Sequence, residues 1–268
     1  MNALIFRGNE PIDRISPNDR GLAYGDGLFE TLLADQGELV WWDRHWQRLT
    51  AGALRLAIEL PEERVIRSAA LELAQRRRAV IKIILTRGES GRGYAPVSAT
   101  GTAIVSLHPA PVHRDAPIAL RWCRTPVARQ PALAGIKHLN RLENVLARSE
   151  WTTPDFADGL MCDGQGDVIC ATSANLFVYR EGRWVTPDLS HCGIDGVTRQ
   201  WLLGLCPDAV IGRISRDDVT GADAVFLCNS VRGMMEVNRI ETIKLPASDA
   251  FRELRQRFIA RHPAFATE

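Results

Sequence analysis

Residues 132–148 read ALAGIKHLNRLENVLAR, and within them Lys137 is approached from the N-terminal side by Ala134, Gly135 and Ile136. An amine beside an apolar run is poised for desolvation, which disfavours its charged form and frees it as a nucleophile. Taken alone, a lysine with one apolar flank reads more simply as a surface side chain laying its stem on apolar neighbours. Composition shifts that balance, because only three of the 33 basic residues are lysines: Lys82, Lys137 and Lys244. GC-rich codons would also favour arginine. Arginine serves equally well as a solvated charge, however, and it cannot form a Schiff base, so lysine persists where an amine is required. Lys82 lies inside the apolar run 80–85 and Lys244 next to Leu245-Pro246, and neither has an anion-binding pattern close by in sequence.

Around this stretch the chain alternates helical and strand patterns. A helix is expected over 138–151, and a strand over Ile118–Cys123 before it. Further upstream, Pro109, Pro111 and Pro117 mark a linker at 109–117. The first half shows strands at Ala3–Phe6, Leu28–Leu33, Glu38–Trp42, Val80–Leu85 and Thr102–Leu107. A helix capped by Asp43 should run to Ile58, with Trp46, Leu49, Ala53 and Leu56 on its apolar face, and a second should open at Pro61. A Gly-rich loop, Arg87–Gly93, separates the last two strands. Downstream come a hairpin turning at Asp163–Gly166, a strand at Asn175–Tyr179, a helix from Thr198, a strand at Ala224–Cys228 and a closing helix from Asp249. The pattern predicts an α+β fold in two domains: an N-terminal α/β domain over 1–108 and a C-terminal α+β domain over 118–268 that carries Lys137.

Bulk properties narrow the function. With 46% hydrophobic and 24% charged residues and a formal net charge of +1, the chain has the balance of an ordinary soluble protein. It has no excess charge to draw it to nucleic acid or an anionic membrane. No apolar run approaches the ~20 residues that span a bilayer. Residues 1–14 lack the basic and apolar regions of a secretory signal, so a cytoplasmic location is expected. The cysteines, Cys123, Cys162, Cys170, Cys192, Cys206 and Cys228, form no CxxC pair. Neither they nor the histidines fall at metal-ligand spacing, so no metal and no disulfide framework is expected.

A phosphate-bearing ligand needs backbone N–H groups, hydroxyls and a cation. Gly193-Ile194-Asp195-Gly196-Val197-Thr198-Arg199 turns through glycines into a helix, which would aim N–H groups and a hydroxyl at an anion. Most such starts are only caps. Asn229-Ser230-Val231-Arg232-Gly233 follows a buried strand and offers a second polar clamp. Arg48, three residues after His45 on an amphipathic helix, would by itself be read as solvated.

As a set, these segments resemble the fold-type IV pyridoxal phosphate enzymes. The resemblance runs from about Ala3 to Val237. It rests on Arg20-Gly21, Tyr24-Gly25-Asp26-Gly27-Leu28-Phe29-Glu30-Thr31, Arg48, the Lys137 segment, Ser173-Ala174-Asn175-Leu176-Phe177, the Gly196–Arg199 turn and Cys228-Asn229-Ser230, in family order. Within the family, residues 134–148, Thr86-Arg87-Gly88 and Gly91-Arg92-Gly93-Tyr94 are most similar to the 4-amino-4-deoxychorismate lyases. Related branched-chain and D-amino acid aminotransferases usually carry Tyr or Leu near the Arg141 position. The resemblance implies pyridoxal 5'-phosphate held between two domains, a homodimer, and a small-molecule substrate cleaved to 4-aminobenzoate and pyruvate. An aminotransferase is the second reading, and a non-catalytic cofactor-binding protein the third.

Carried onto this chain, the resemblance implies that Lys137 forms the Schiff base, and that Arg48, Val197, Thr198 and Ser230 hold the phosphate. Phe29, Arg87, Arg92, Tyr94 and Arg141 are implied on the substrate side, where a dicarboxylate calls for fixed arginines. One position departs from the pattern. Five residues before Asn175, where the family places a glutamate against the pyridine nitrogen, this chain has Cys170. A thiol is a weak donor and cannot keep that nitrogen protonated as a carboxylate does. A poorer electron sink is therefore expected, which a lyase forming an aromatic product would tolerate better than an aminotransferase.

Overall fold

The computed structural model describes residues 2–97, 100–112 and 116–266. By their contacts these divide into two compact units: 1–111 with 136–140, and 112–135 with 141–268. Residues 113–115 of the expected 109–117 linker lie outside the described residues.

The first unit contains β1 (Ala3–Arg7), β2 (Glu10–Ile12), α1 (Arg20–Tyr24), β3 (Gly27–Asp35), β4 (Glu38–Leu39), α2 (Trp42–Leu56), α3 (Glu63–Ala74), β5 (Ala79–Thr86) and β6 (Thr102–Pro109). Its six-stranded sheet runs β2-β1-β6-β5-β3-β4. The pairings are antiparallel throughout. β5 sits inside the sheet, and its near-continuous burial shows that both faces are covered. The Asp35–Glu38 turn reverses the chain through Gln36 and Gly37, both at positive φ, and leaves β4 only two residues long. Trp41 at φ 57 ends the strand expected over Glu38–Trp42 and stands at the helix cap position. Asp43 therefore lies in the first turn rather than at the cap, where it still complements the helix dipole.

The buried stripe of α2 is Trp42, His45, Leu49, Gly52 and Ala53, so a histidine takes the place expected for Trp46. Gly52 lets the helix come close to β3, since a Cβ there would stand 3.0 Å from the Leu28 side chain.

The expected helix over 138–151 is only α4, Leu142–Arg148. The five residues before Arg141 are not helical, because β3 claims their backbone. Phe29 N–H donates to the Lys137 carbonyl at 2.9 Å, and Leu139 N–H to the Gly27 carbonyl at 3.0 Å. Asn140 Nδ2 adds a bond to the Gly25 carbonyl at 3.1 Å. Residues 136–140 thus belong to the first unit by their contacts, whereas the sequence pattern had assigned Lys137 to the second domain.

The second unit contains β7 (Ile118–Trp122), α4, β8 (Asp158–Cys162), β9 (Val168–Ala171), β10 (Asn175–Arg180), β11 (Arg183–Pro187), α5 (Val197–Leu205), β12 (Val210–Gly212), α6 (Arg216–Thr220), β13 (Ala224–Asn229), β14 (Gly233–Ile240), β15 (Ile243–Lys244) and α7 (Asp249–Arg261). Its sheet runs β12-β11-β10-β13-β14-β7-β8-β9, with β15 on β14. Leu120, Leu160, Leu176, Val178, Leu227 and Val237 build one core layer. Each such side chain stabilises the fold by roughly 2 kcal/mol through burial. On α7, Phe251, Leu254 and Phe258 are buried, and the Phe251 ring lies 5.6 Å from that of Phe226 on β13. Among the described residues, no helix is long and apolar enough to cross a membrane.

Candidate active site

In the first unit, Lys137 is half-buried, and its Nζ lies 4.1 Å from the centre of the Phe29 ring. Phe29 is therefore a wall of the amine's surroundings. Beside Phe29 in β3, Glu30 is 1% exposed and carries a buried charge cluster. Arg48 Nε donates to its Oε1 at 2.8 Å and Arg48 Nη2 to its Oε2 at 2.5 Å, a two-point pair. His45 Nδ1 meets Oε2 at 2.7 Å. Burial alone would raise the Glu30 carboxyl, but the Arg48 charge and hydrogen bonds, aided by His45, bring it down to about 2.

Burial likewise pushes the His45 imidazole below its ordinary value, outweighing Glu30, and the charges of Arg48 and Lys137 act in the same direction as burial. The ring is therefore neutral near pH 7. An ionised carboxylate only accepts, so Nδ1 carries the proton. Among the described residues, the buried Nε2 has no hydrogen-bond partner. Neither Glu30 nor His45 was singled out from sequence as a site residue. The available signal was a carboxylate in an apolar strand followed by His45 and Arg48 at i, i+3 spacing.

Arg87, expected on the substrate side, has its guanidinium bonded within the first unit. It is 7% exposed. Its Nε and Nη2 bond Asp26 at 2.7 and 3.1 Å, and its Nη1 and Nη2 reach the Ala57 and Leu56 carbonyls, each at 2.7 Å. The last carbonyls of a helix have no partner within it, and the Arg87 fork closes the end of α2. Arg20 completes the cluster, donating from Nε to Asp26 at 2.8 Å and from Nη1 and Nη2 to the Gly93 and Tyr94 carbonyls at 2.9 and 2.8 Å. Burial would raise the Asp26 carboxyl, but Arg87 and Arg20 hold it below the usual carboxylate range. Arg92 and Tyr94 thus sit on an exposed loop pinned through its backbone, with the Tyr94 ring 5.5 Å from that of Tyr24.

The second unit brings the start of α5 and Ser230 together. α5 begins at Val197 and Thr198, both buried, and its cap residue Gly196 makes no side-chain cap bond. The Thr198 and Ser230 hydroxyls stand 3.3 Å apart in the interior. Gly196 is required because a Cβ would lie 2.0 Å from Asn175 Oδ1, while Asn175 Nδ2 ties down the Ile194 carbonyl at 2.8 Å. Arg199 secures the turn from behind, bonding Thr186, Asp195 and the Pro187 carbonyl at 3.1, 2.6 and 2.9 Å. Backbone donors at a helix start with two adjacent hydroxyls suit a phosphate. Asn175 and Arg199 are supports that sequence reading left without a role.

Cys170 lies on β9, buried beneath the second unit's surface. Burial pushes its thiol up, Asp158 adds to the effect, and Arg141 opposes it. The thiol is therefore neutral at physiological pH and supplies no carboxylate-like charge. Arg141 is half-buried at the start of α4, its guanidinium held below its ordinary value mainly by burial, with Glu143 and Cys170 acting the other way. Taken unit by unit, the first offers an amine and the second a helix start with two hydroxyls, groups whose chemistry suits pyridoxal phosphate, whereas Cys170 offers no carboxylate.

Comparison with known proteins agrees with this chemistry. The chain is 34% identical over 240 residues to the aminodeoxychorismate lyase of Vibrio harveyi, covering 86% of this chain and 89% of that one. The crystal structure of 4-amino-4-deoxychorismate lyase from Pseudomonas aeruginosa superposes with a TM-score of 0.89 at 40% identity, covering 97% of this chain and 99% of that one. A hypothetical aminotransferase from Mycobacterium tuberculosis, solved in a PLP-bound form, shares the fold with a TM-score of 0.79 at 20% identity, over 94% and 96% of the two chains. A family model for amino-transferase class IV matches residues 27–240, and the chain belongs to that family.

Proposed function

We propose that this chain is a pyridoxal-phosphate-dependent lyase that converts 4-amino-4-deoxychorismate to 4-aminobenzoate and pyruvate, an activity that feeds folate synthesis. The observation that carries the reading is identity of 34% and 40%, over nearly the whole chain, to two lyases of that name; Lys137 beside Phe29 in the first unit and the Thr198–Ser230 hydroxyl pair in the second support it. When bound, pyridoxal phosphate supplies an aldehyde for an amine and a conjugated ring that stores an electron pair.

The chain's own groups do the rest. Val197, Thr198, Ser230 and Arg48 would hold the phosphate, and Lys137 the aldehyde carbon. With its amine free, Lys137 would take the proton from the substrate ring carbon bearing nitrogen. Breaking the ether C–O bond then aromatises the ring, and the departing three-carbon fragment gains a proton to become pyruvate. Arg141 and Arg92 are the arginines offered to the substrate carboxylates, with Phe29 and Tyr94 as apolar walls. Arg87 has no part in this, because its guanidinium is committed to Asp26 and to the end of α2. Neutral Cys170 suits an elimination driven by aromatisation better than it suits amine transfer.

A cytosolic homodimer completes the reading. Leu142, Val145 and Leu146, 76%, 56% and 60% exposed, make an apolar row on α4 that a second copy would cover. Sedimentation equilibrium tests this, and a monomer at micromolar concentration would exclude it.

The decisive assay mixes purified protein with 4-amino-4-deoxychorismate and follows both products. Equal release of 4-aminobenzoate and pyruvate is expected. Lys137→Ala should lower turnover by about a thousandfold or more, the scale of a positioned acid–base group. Cofactor binding with no release, together with transfer of an amine from simple amino acids, would establish an aminotransferase instead.

A further inference from the structure

Arg48 reaches its position from the middle of α2, 18 residues from Glu30 in sequence, and a flexible arginine there could point many ways. Three contacts remove that freedom. Both oxygens of the Glu30 carboxylate are engaged by the Arg48 fork, which sets the plane of the guanidinium. The carboxylate is itself held by His45 Nδ1 at 2.7 Å, one helical turn before Arg48. Its side chain is 1% exposed, so no water competes for it.

We infer that Glu30, braced by His45, is a positioning residue that presets the Arg48 guanidinium for the cofactor phosphate. The inference rests on the proposal that Arg48 meets that phosphate. Glu30 does not act by attraction, since its negative charge offsets one positive charge at the site. Its contribution is geometric: it fixes a planar donor before the ligand arrives, so that little conformational entropy is lost on binding. His45 serves as the neutral brace, donating from Nδ1 while its buried Nε2 has no partner among the described residues.

The test reads the preference of the full-length protein, dialysed free of cofactor, for pyridoxal 5'-phosphate over pyridoxal. Tryptophan fluorescence quenching gives both dissociation constants. Their ratio isolates the phosphate, so a general loosening of the protein cancels. Glu30→Asp keeps the charge but is one methylene too short to hold Arg48 and His45 together, and the ratio should fall about tenfold. His45→Leu should lower it similarly. His45→Asn places an amide N–H where Nδ1 was and should keep the ratio within about twofold of the starting protein.

A ratio that stays unchanged in Glu30→Asp and His45→Leu, yet collapses in Arg48→Met, would overturn the positioning role alone. No preference in the unmodified protein, or none lost in Arg48→Met, would overturn the phosphate assignment and this inference with it. Should Glu30→Asp fail to fold, the His45→Leu and His45→Asn pair decides the question by itself.

Discussion

Two buried charge clusters in the first unit are built alike and serve different ends. In one, Asp26 gathers Arg20 and Arg87. In the other, Glu30 gathers Arg48 and His45. The difference lies in where the remaining donors go. Arg20 and Arg87 close on backbone carbonyls at Gly93, Tyr94, Ala57 and Leu56, joining α1, the end of α2, β5 and the loop after it. They are staples. The contacts that orient Arg48 end on a side-chain carboxylate that is itself braced. Arginines that look equally available in sequence are thus sorted by the chemistry of their partners, and Arg87 moves from candidate ligand to structural clamp.

The largest effect expected from this contrast is on stability. Arg87→Met removes one partner of a buried carboxylate and uncovers two helix-end carbonyls, at a cost of about 3 kcal/mol. Urea unfolding measures it, and a loss below about 1 kcal/mol would return Arg87 to the pool of free arginines.

Arg48→Met should behave differently with pH. Without Arg48, one of the lesser causes that lower His45 is gone while burial, the largest, remains, so the imidazole is held down less. A His whose folded pKa lies below its unfolded value costs stability as pH falls, and that cost shrinks when the folded pKa is less depressed. Relative to the starting protein, the variant should therefore lose less stability on going from pH 8 to pH 5. Arg87→Met, with no histidine on Asp26, should show no such relief. Equal pH responses would erase the distinction between the clusters.

A third check concerns acid. The Glu30 carboxyl is lowered in the folded state from 4.5 to about 2. Its contribution is complete above the unfolded value and is lost as pH falls from about 4.5 towards 2. Glu30→Gln should flatten the fall in melting temperature across that window, though it lowers stability at pH 7. The smallest effect is that of Ser230→Ala in the second unit, where one hydroxyl at 3.3 Å from Thr198 is removed. Pyridoxal phosphate affinity should drop about fivefold, with pyridoxal affinity unchanged, by equilibrium dialysis.

Much of this was legible before any coordinates. Lys137 stood out because lysine is scarce, the α5 start because glycines lead into Val197-Thr198, and most strands because β-branched runs alternate with turn residues. The helix expected over 138–151 was overestimated for a specific reason. Its first residues have helical periodicity, but the open edge at the start of β3 takes the Lys137 carbonyl and the Leu139 N–H. Long-range strand pairing overrode local preference. Likewise His45, not Trp46, lies on the buried face of α2, because Glu30 beneath it requires a donor.

The amino-acid sequence alone determined the α+β class and the family and singled out Lys137 as the candidate amine, because periodicity, turn chemistry and contiguous motifs are local properties. Only the tertiary structure decided which arginine closes on backbone carbonyls and which is paired with a braced carboxylate. The Arg20 guanidinium meets carbonyls 73 and 74 residues away, and Arg87 meets carbonyls 30 and 31 residues back. Partners that distant are brought together by sheet pairing and helix packing, and a side chain's role is set by the donors and acceptors it finds there.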